Sequence, residues 1–300
     1  MYREVATNLG NPAQTIDQIG SFAQLAGWTI VANVLTGSNR TLTLRKSGDF
    51  VVLSNTSATA IKVQTSVSQG SDFAPFSGNA NLGAGPYAKL YCFADTVPTE
   101  HVHIVMELSA GLVRMLSFGE LEKMGVWTGG TYCDASYWAT STSYRGYWNT
   151  SSHALFSSDY SNSNSGGLRV HVDGLRWANF YTSSNNNYWR ADTGWSADGN
   201  SKGYVKSHLD LDLNVHDQRR IGRPIKVGIQ RPGGLISPAG FFPGVRAIRV
   251  DTFNFGEERP DPDGTAWKVF PLARKGAPPN PNDSNDDYSG VYGLAFRKTA

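Results

Sequence analysis

Apolar and polar positions change rhythm along this chain, and each rhythm predicts a different element. Ile16, Ile19, Phe22, Ala23 and Ala26 recur at helical spacing, which predicts a helix with one buried stripe. Thr15 reads as its N-cap, with Gln18 completing a capping box, and Gly27 as its stop. From Thr29 the period falls to two. Thr29–Leu35, Thr41–Lys46, Phe50–Leu53 and Ala60–Val67 read as strands, with turns at Gly37-Ser38-Asn39 and Ser47-Gly48-Asp49. Within the second of these, Leu42 and Leu44 share one face and Thr41, Thr43 and Arg45 the other. A polar loop from Ser68 to Gly85 follows, and then the strands Lys89–Ala94, Val102–Leu108 and Leu112–Phe118. Residues 1–125 therefore predict an α+β domain, one helix on an antiparallel sheet, with the helix lying on the sheet through Ile16, Ile19 and Ala23.

At Gly125 the pattern weakens. Leu168–Val172 alternates and ends at Asp173-Gly174, a hairpin-type turn. Val205–Val215 alternates weakly through Leu209, Leu211 and Leu213. Val245–Val250, Trp267–Phe270 and Tyr292–Arg297 read as strands, the last with Leu294 and Phe296 on one face. Pro224, Pro232, Pro238, Pro243, Pro260 and Pro262 punctuate this region. Proline removes a ladder hydrogen bond, which places these residues at edges and in loops. Lys275–Asp287, rich in Pro, Asn and Asp, reads as a surface loop. Residues 126–300 thus predict an all-β, loop-rich, sandwich-like domain.

Composition sharpens this picture. Only 17% of the 300 residues are charged, against a usual quarter, and Gly, Ser, Asn, Thr, Tyr and Trp fill the difference. The net charge of +2 creates no global field for nucleic acid or anionic lipid. No basic segment with an apolar core opens the chain, and no apolar run approaches membrane-spanning length. Cys92 and Cys133, both flanked by aromatics, read as buried thiols, with one disulfide pairing left open. Six of the eight tryptophans fall between Trp127 and Trp195: Trp127, Trp138, Trp148, Trp177, Trp189 and Trp195. Aromatics edged by amides and hydroxyls suit a subunit interface. The same residues suit stacking on sugar rings, or simple burial in a core. Few aliphatics surround them, which favours cover by a neighbouring subunit.

Candidates for chemistry are sparse. His101 and His103, one residue apart on a strand, point the same way, with Glu107 farther along that face. This is the spacing of two metal ligands, and equally of two ordinary strand histidines. Asp261-Pro262-Asp263-Gly264 and Asn282–Asp287 gather oxygen ligands of the kind calcium uses, and turn chemistry explains the same residues. Glu120 and Glu122 lie close in sequence without a partner that would activate water. No nucleophile elbow, zinc-protease motif, phosphate-binding loop or dinucleotide fingerprint is present in usable form. No catalytic residue, metal ligand or cofactor is assigned, and no enzymatic activity is expected.

Two stretches carry a resemblance. One runs through His103-Ile104-Val105-Met106-Glu107, Phe118-Gly119-Glu120-Leu121-Glu122-Lys123 and Trp127-Thr128-Gly129-Gly130. The other is Trp267-Lys268-Val269-Phe270-Pro271 with Arg274-Lys275, then Tyr292-Gly293-Leu294-Ala295-Phe296-Arg297. Together they resemble virion structural proteins encoded among the tail and neck genes of long-tailed bacteriophages and prophages. The resemblance implies a structural component of the tail, neck, collar or baseplate, assembled in the host cytoplasm. It would act through contacts with copies of itself and other virion proteins, without a small-molecule substrate, nucleic acid or membrane insertion. The group supplies no catalytic residues to carry over. A receptor-binding or lectin-like module of a tail fibre is the rival reading, although the repetitive or coiled-coil stalk usual in a fibre is not seen. A cell-wall hydrolase is a weaker one.

Overall fold

A computed structural model of the chain describes residues 1–9, 11–57, 60–66, 80–83, 86–109, 112–135, 169–173, 176–179, 202–205, 222–230, 236–250, 253–271 and 292–299. Strand β1 (Tyr2–Leu9) leads into helix α1 (Pro12–Leu25). A meander sheet follows, made of β2 (Thr29–Thr36), β3 (Asn39–Lys46), β4 (Asp49–Ser57), β5 (Ala60–Ser66) and β6 (Ala80–Gly83), paired in sequence order. Next come β7 (Tyr87–Asp95), β8 (His101–Ser109), β9 (Leu112–Glu120), the short β10 (Glu122–Lys123), β11 (Thr131–Ala135), β12 (Arg169–Asp173) and β13 (Arg176–Asn179). The chain continues through β14 (Lys202–Val205), β15 (Arg223–Gln230), β16 (Ile236–Arg249), β17 (Glu258–Pro260), β18 (Ala266–Pro271) and β19 (Tyr292–Lys298).

The expected class is found: a β-rich chain with, among the described residues, one helix on an antiparallel sheet and further sheets packed as in a sandwich. The central sheet runs β1-β7-β8-β9-β11-β12-β13, and the C-terminal sheet β14-β15-β16-β19-β18-β17 with β10 also on β16. Alternation along the central strands sends side chains both ways. Leu90, Cys92, Ile104 and Met106 join Ile16, Ile19, Phe22, Leu42, Leu53 and Ile61 from the helix and meander. Tyr91, Phe93, Val105 and Met115 join Ile225, Val227, Phe270 and Phe296 from the C-terminal sheet. A sheet buried on both faces reads as near-continuous apolar runs rather than clean alternation, which is the character of Leu90–Ala94 and Val102–Met106.

Four expectations need correction. The helix begins earlier than expected. Asn11 is the N-cap, its side chain accepting from the Ala13 N–H at 2.8 Å, and Pro12 takes the first turn, where its missing N–H costs nothing. Thr15 is buried inside the helix instead of capping it. Residues 1–125 do not form a separate sheet system either. β9 pairs with β11 through Phe118↔Cys133, and β10 pairs with β16 through Glu122↔Phe241, so strands before and after residue 125 share sheets. Residues 80–83, expected within a loop, form β6 on β5.

The prolines are the fourth correction. Pro224, Pro238 and Pro243 lie within β15 and β16, which pair with each other. The ladder is broken where they sit. Arg246 faces Pro224 and Phe241 faces Lys226, so Phe242–Val245 bulge against Ile225. A second shift separates Gly240↔Val227 from Pro238↔Gly228. Bulges free the hydrogen-bonding positions that proline cannot fill.

Candidate functional site

The expected aromatic site is only partly within the described residues. Trp138, Trp148, Trp189 and Trp195 lie outside them, and Trp177 contributes its backbone to β13 opposite His171. Trp127 is in view, and its own chain engages it. The ring packs half-buried against the core between the central and C-terminal sheets. Its indole N–H donates to the Ala239 carbonyl of β16 at 3.0 Å. Lys123 stands 5.8 Å over the ring and donates to the Gly129 carbonyl at 2.9 Å. Trp127 therefore ties the β10–β11 link to the C-terminal sheet. Gly129 explains the glycine doublet: its φ is +112°, and a Cβ there would meet the His171 carbonyl oxygen at 2.5 Å.

His101 and His103 do point the same way, with ring centroids 5.0 Å apart. Each hydrogen-bonds within the chain. His101 Nδ1 donates to the Thr99 carbonyl at 2.8 Å. His103 Nε2 lies 2.8 Å from the Pro243 carbonyl, and Nδ1 lies 2.6 Å from Ser117 Oγ. A carbonyl only accepts, so Nε2 carries the proton and Nδ1 accepts from the Ser117 hydroxyl. Tyr132 Oη, 3.1 Å from Ser117 Oγ, then supplies the proton that the serine oxygen can still accept. The chain Tyr132–Ser117–His103–Pro243 crosses from the central sheet to the C-terminal bulge. It resembles a nucleophile beside a base, but the Tyr132, Ser117 and His103 side chains are all fully buried. Burial lowers His101 to about 4. Burial, then the neighbouring His101, lowers His103 well below its ordinary value. Among the described residues, no three His, Cys, Asp or Glu side chains cluster as metal ligands would.

A second polar cluster joins β1 and β7 to β17–β19. Glu4 takes Lys89, Lys268 at 3.3 Å and the Tyr2 hydroxyl. Lys268 also reaches Glu258 at 3.1 Å and lies 5.6 Å over the rings of both Tyr2 and Tyr91. Lys298 pairs with Glu258 at 2.9 Å and covers Tyr2 at 4.9 Å. Burial alone would raise the Glu4 carboxyl, but hydrogen bonds from Lys89, Tyr2 and Lys268 outweigh it and hold the group at about 2. A carboxylate held so firmly as an anion is a poor proton donor or acceptor near neutral pH. The cluster clamps one sheet onto the other.

Asp261, Asp263 and Glu120 make contacts within the fold. Asp261 accepts from Arg246 at 2.5 Å and from the Trp267 indole at 3.1 Å, while Arg246 stacks 4.0 Å from the Trp267 ring centroid. Its loop closes through Gly264 N–H to the Asp261 carbonyl at 2.9 Å and Thr265 N–H to Asp263 at 2.8 Å. These are turn bonds. Asn282–Asp287 lie outside the described residues. Glu120 is paired with Lys123 at 2.7 Å. Cys92 and Cys133 are both buried thiols; the Thr65 hydroxyl donates to Cys133 Sγ at 3.6 Å, and burial pushes the Cys92 thiol up to about 12. No family model matches the chain, and no curated protein matches its sequence.

Proposed function

We propose that this chain is a structural component of a tailed-phage virion, in the tail, neck, collar or baseplate, and that it acts by assembling with copies of itself and with other virion proteins rather than by catalysis. One observation carries the reading. The two stretches that resemble tail and neck proteins, far apart in sequence, meet in one core. Val105 and Leu121 come from the first stretch, and Phe270, Leu294 and Phe296 from the second. The resemblance therefore falls on the residues that build the scaffold, as is expected of a shared particle fold. The polar groups inside that scaffold, from His103 to Lys268, are committed to holding sheets together. Assembly contacts are assigned to the aromatic segment that starts after Trp127, with Trp138 and Trp148 as its first members.

Deleting the coding gene from the phage or prophage tests this reading. The expected result is loss of complete particles, with tails or heads accumulating as unjoined or truncated intermediates. Complete particles that form normally but fail to adsorb to host cells would overturn it in favour of the receptor-binding module.

A further inference from the structure

Strand β2 ends the meander sheet, and its edge away from β3 has no neighbour among the described residues. Sheet ends are usually blunted by charge, proline or shortness, because a bare edge recruits another strand. The other five end strands follow that rule. β1 carries Arg3 and Glu4, β14 begins with Lys202 and β13 with Arg176, β17 reads Glu-Arg-Pro, and β6 is only 4 residues long. β2 is the exception: 8 residues, Thr-Ile-Val-Ala-Asn-Val-Leu-Thr, with neither charge nor proline. Val34 is 53% and Leu35 55% exposed, large apolar side chains side by side at the same edge.

The strand is also complementary to itself. Ile30 stands opposite Leu44, but Ala32 stands opposite Thr43, so Val31 is an extra, bulged residue. The bulge resets the alternation. Ile30, Asn33 and Leu35 share the face of Leu42 and Leu44, which α1 covers, while Thr29, Ala32, Val34 and Thr36 share the other. In two antiparallel strands related by a twofold axis, opposed residues must lie on the same face. With Val31 set aside, Asn33 is the midpoint of β2. Placing it on the axis brings Ile30 against Leu35, Ala32 against Val34 and Thr29 against Thr36. Each pair lies on one face, apolar meets apolar, and the two Asn33 amides meet each other. No like charges are opposed, because the strand has none.

We propose that β2 is a homotypic docking edge, along which two copies of this chain pair antiparallel about a twofold axis at Asn33 and join their meander sheets into one. The contact is roughly 27 Å long at about 3.4 Å per residue. A single-strand contact lies at the small end of specific interfaces, so the dimer forms in a concentration-dependent equilibrium. The pairing does not depend on where the chain works.

Sedimentation velocity of the purified full chain over a concentration series tests it. Asn33→Lys and Asn33→Asp each set like charges against each other at the axis. Each variant alone is expected to dissociate about tenfold more readily, or more, with the melting temperature of the dilute monomer unchanged because Asn33 is exposed. An equimolar mixture of the two is expected to regain at least the wild-type affinity, since opposite charges then meet. The proposal is overturned if wild type stays monomeric throughout, if the variants self-associate like wild type, or if mixing them restores nothing.

Discussion

Gly119→Ala is expected to destabilise the chain by about 3 kcal/mol or more, enough to remove much of the stability of an ordinary domain. Gly119 lies in β9 with φ +146°, a region that side chains avoid. A Cβ there would meet the Glu100 carbonyl oxygen at 2.3 Å and the His101 Cα at 2.6 Å. Both are backbone atoms of the entry to β8, so no side-chain rotation relieves the contact. Glu120 N–H donates to that same Glu100 carbonyl at 2.8 Å, so the close approach is part of the ladder. Gly119 also faces Tyr132 of β11, and a shift here disturbs both neighbours of β9. Gly48→Ala is the control: a Cβ at that turn meets nothing within 4 Å. Urea unfolding of both variants checks the pair, and equal stabilities would contradict the account of β9.

Acid is expected to weaken the fold through the two buried imidazoles. His101 and His103 have folded values depressed below the ordinary 6.5, His101 to about 4. Below pH 6.5 the unfolded chain takes up protons that the folded chain refuses. This contribution is complete above pH 6.5 and is lost progressively as pH falls toward 4. Asp49 acts in the opposite sense. Burial, then Glu120 and Glu100, raise it from 3.8 to about 6 against the Thr131 hydrogen bond. Its contribution is complete below pH 3.8 and is lost as pH rises through 6. Two groups oppose one, so the histidines set the sign. Stability is expected to fall by on the order of 2 kcal/mol between pH 7 and pH 5, at about 1.4 kcal/mol per proton and pH unit. His103→Gln removes one titrating group while its amide can still donate to Pro243 and accept from Ser117. It should flatten the acid limb, and Asp49→Asn should steepen it. Urea unfolding series at several pH values give these slopes, and a wild-type profile that is flat or rises toward acid would show that the imidazoles are not held neutral.

The helix and the meander were legible because their cores obey simple periods: Ile16, Ile19, Phe22 and Ala23 on the helix, Leu42 and Leu44 on β3. β1 was not. Tyr2, Arg3 and Glu4 look like a polar start, and only pairing with β7 and the lysines of β18 and β19 makes them a clamp. The proline rule misled because a bulge is a property of two strands, and neither β15 nor β16 announces the shift alone. The cap was missed because Thr15 with Gln18 matches the familiar box, whereas the shorter signal, Asn11-Pro12, precedes it. The spacing of His101 and His103 correctly implied one face. Their partners, Ser117 and the Pro243 carbonyl, come from 14 and 140 residues away from His103, distances over which local pattern carries no information. Trp127 shows the same limit: composition marked the aromatic segment, and the contact with Ala239 that sets this half-buried ring against the core comes from 112 residues away.

Electron cryo-microscopy of purified virions carrying the chain shows whether it works as a particle subunit. The expected result is density for this fold in several symmetry-related copies within the tail, neck, collar or baseplate, with its contacts made to other virion chains. Particles whose assigned density leaves no place for this fold, with the chain recovered only in the particle-free lysate, would contradict it.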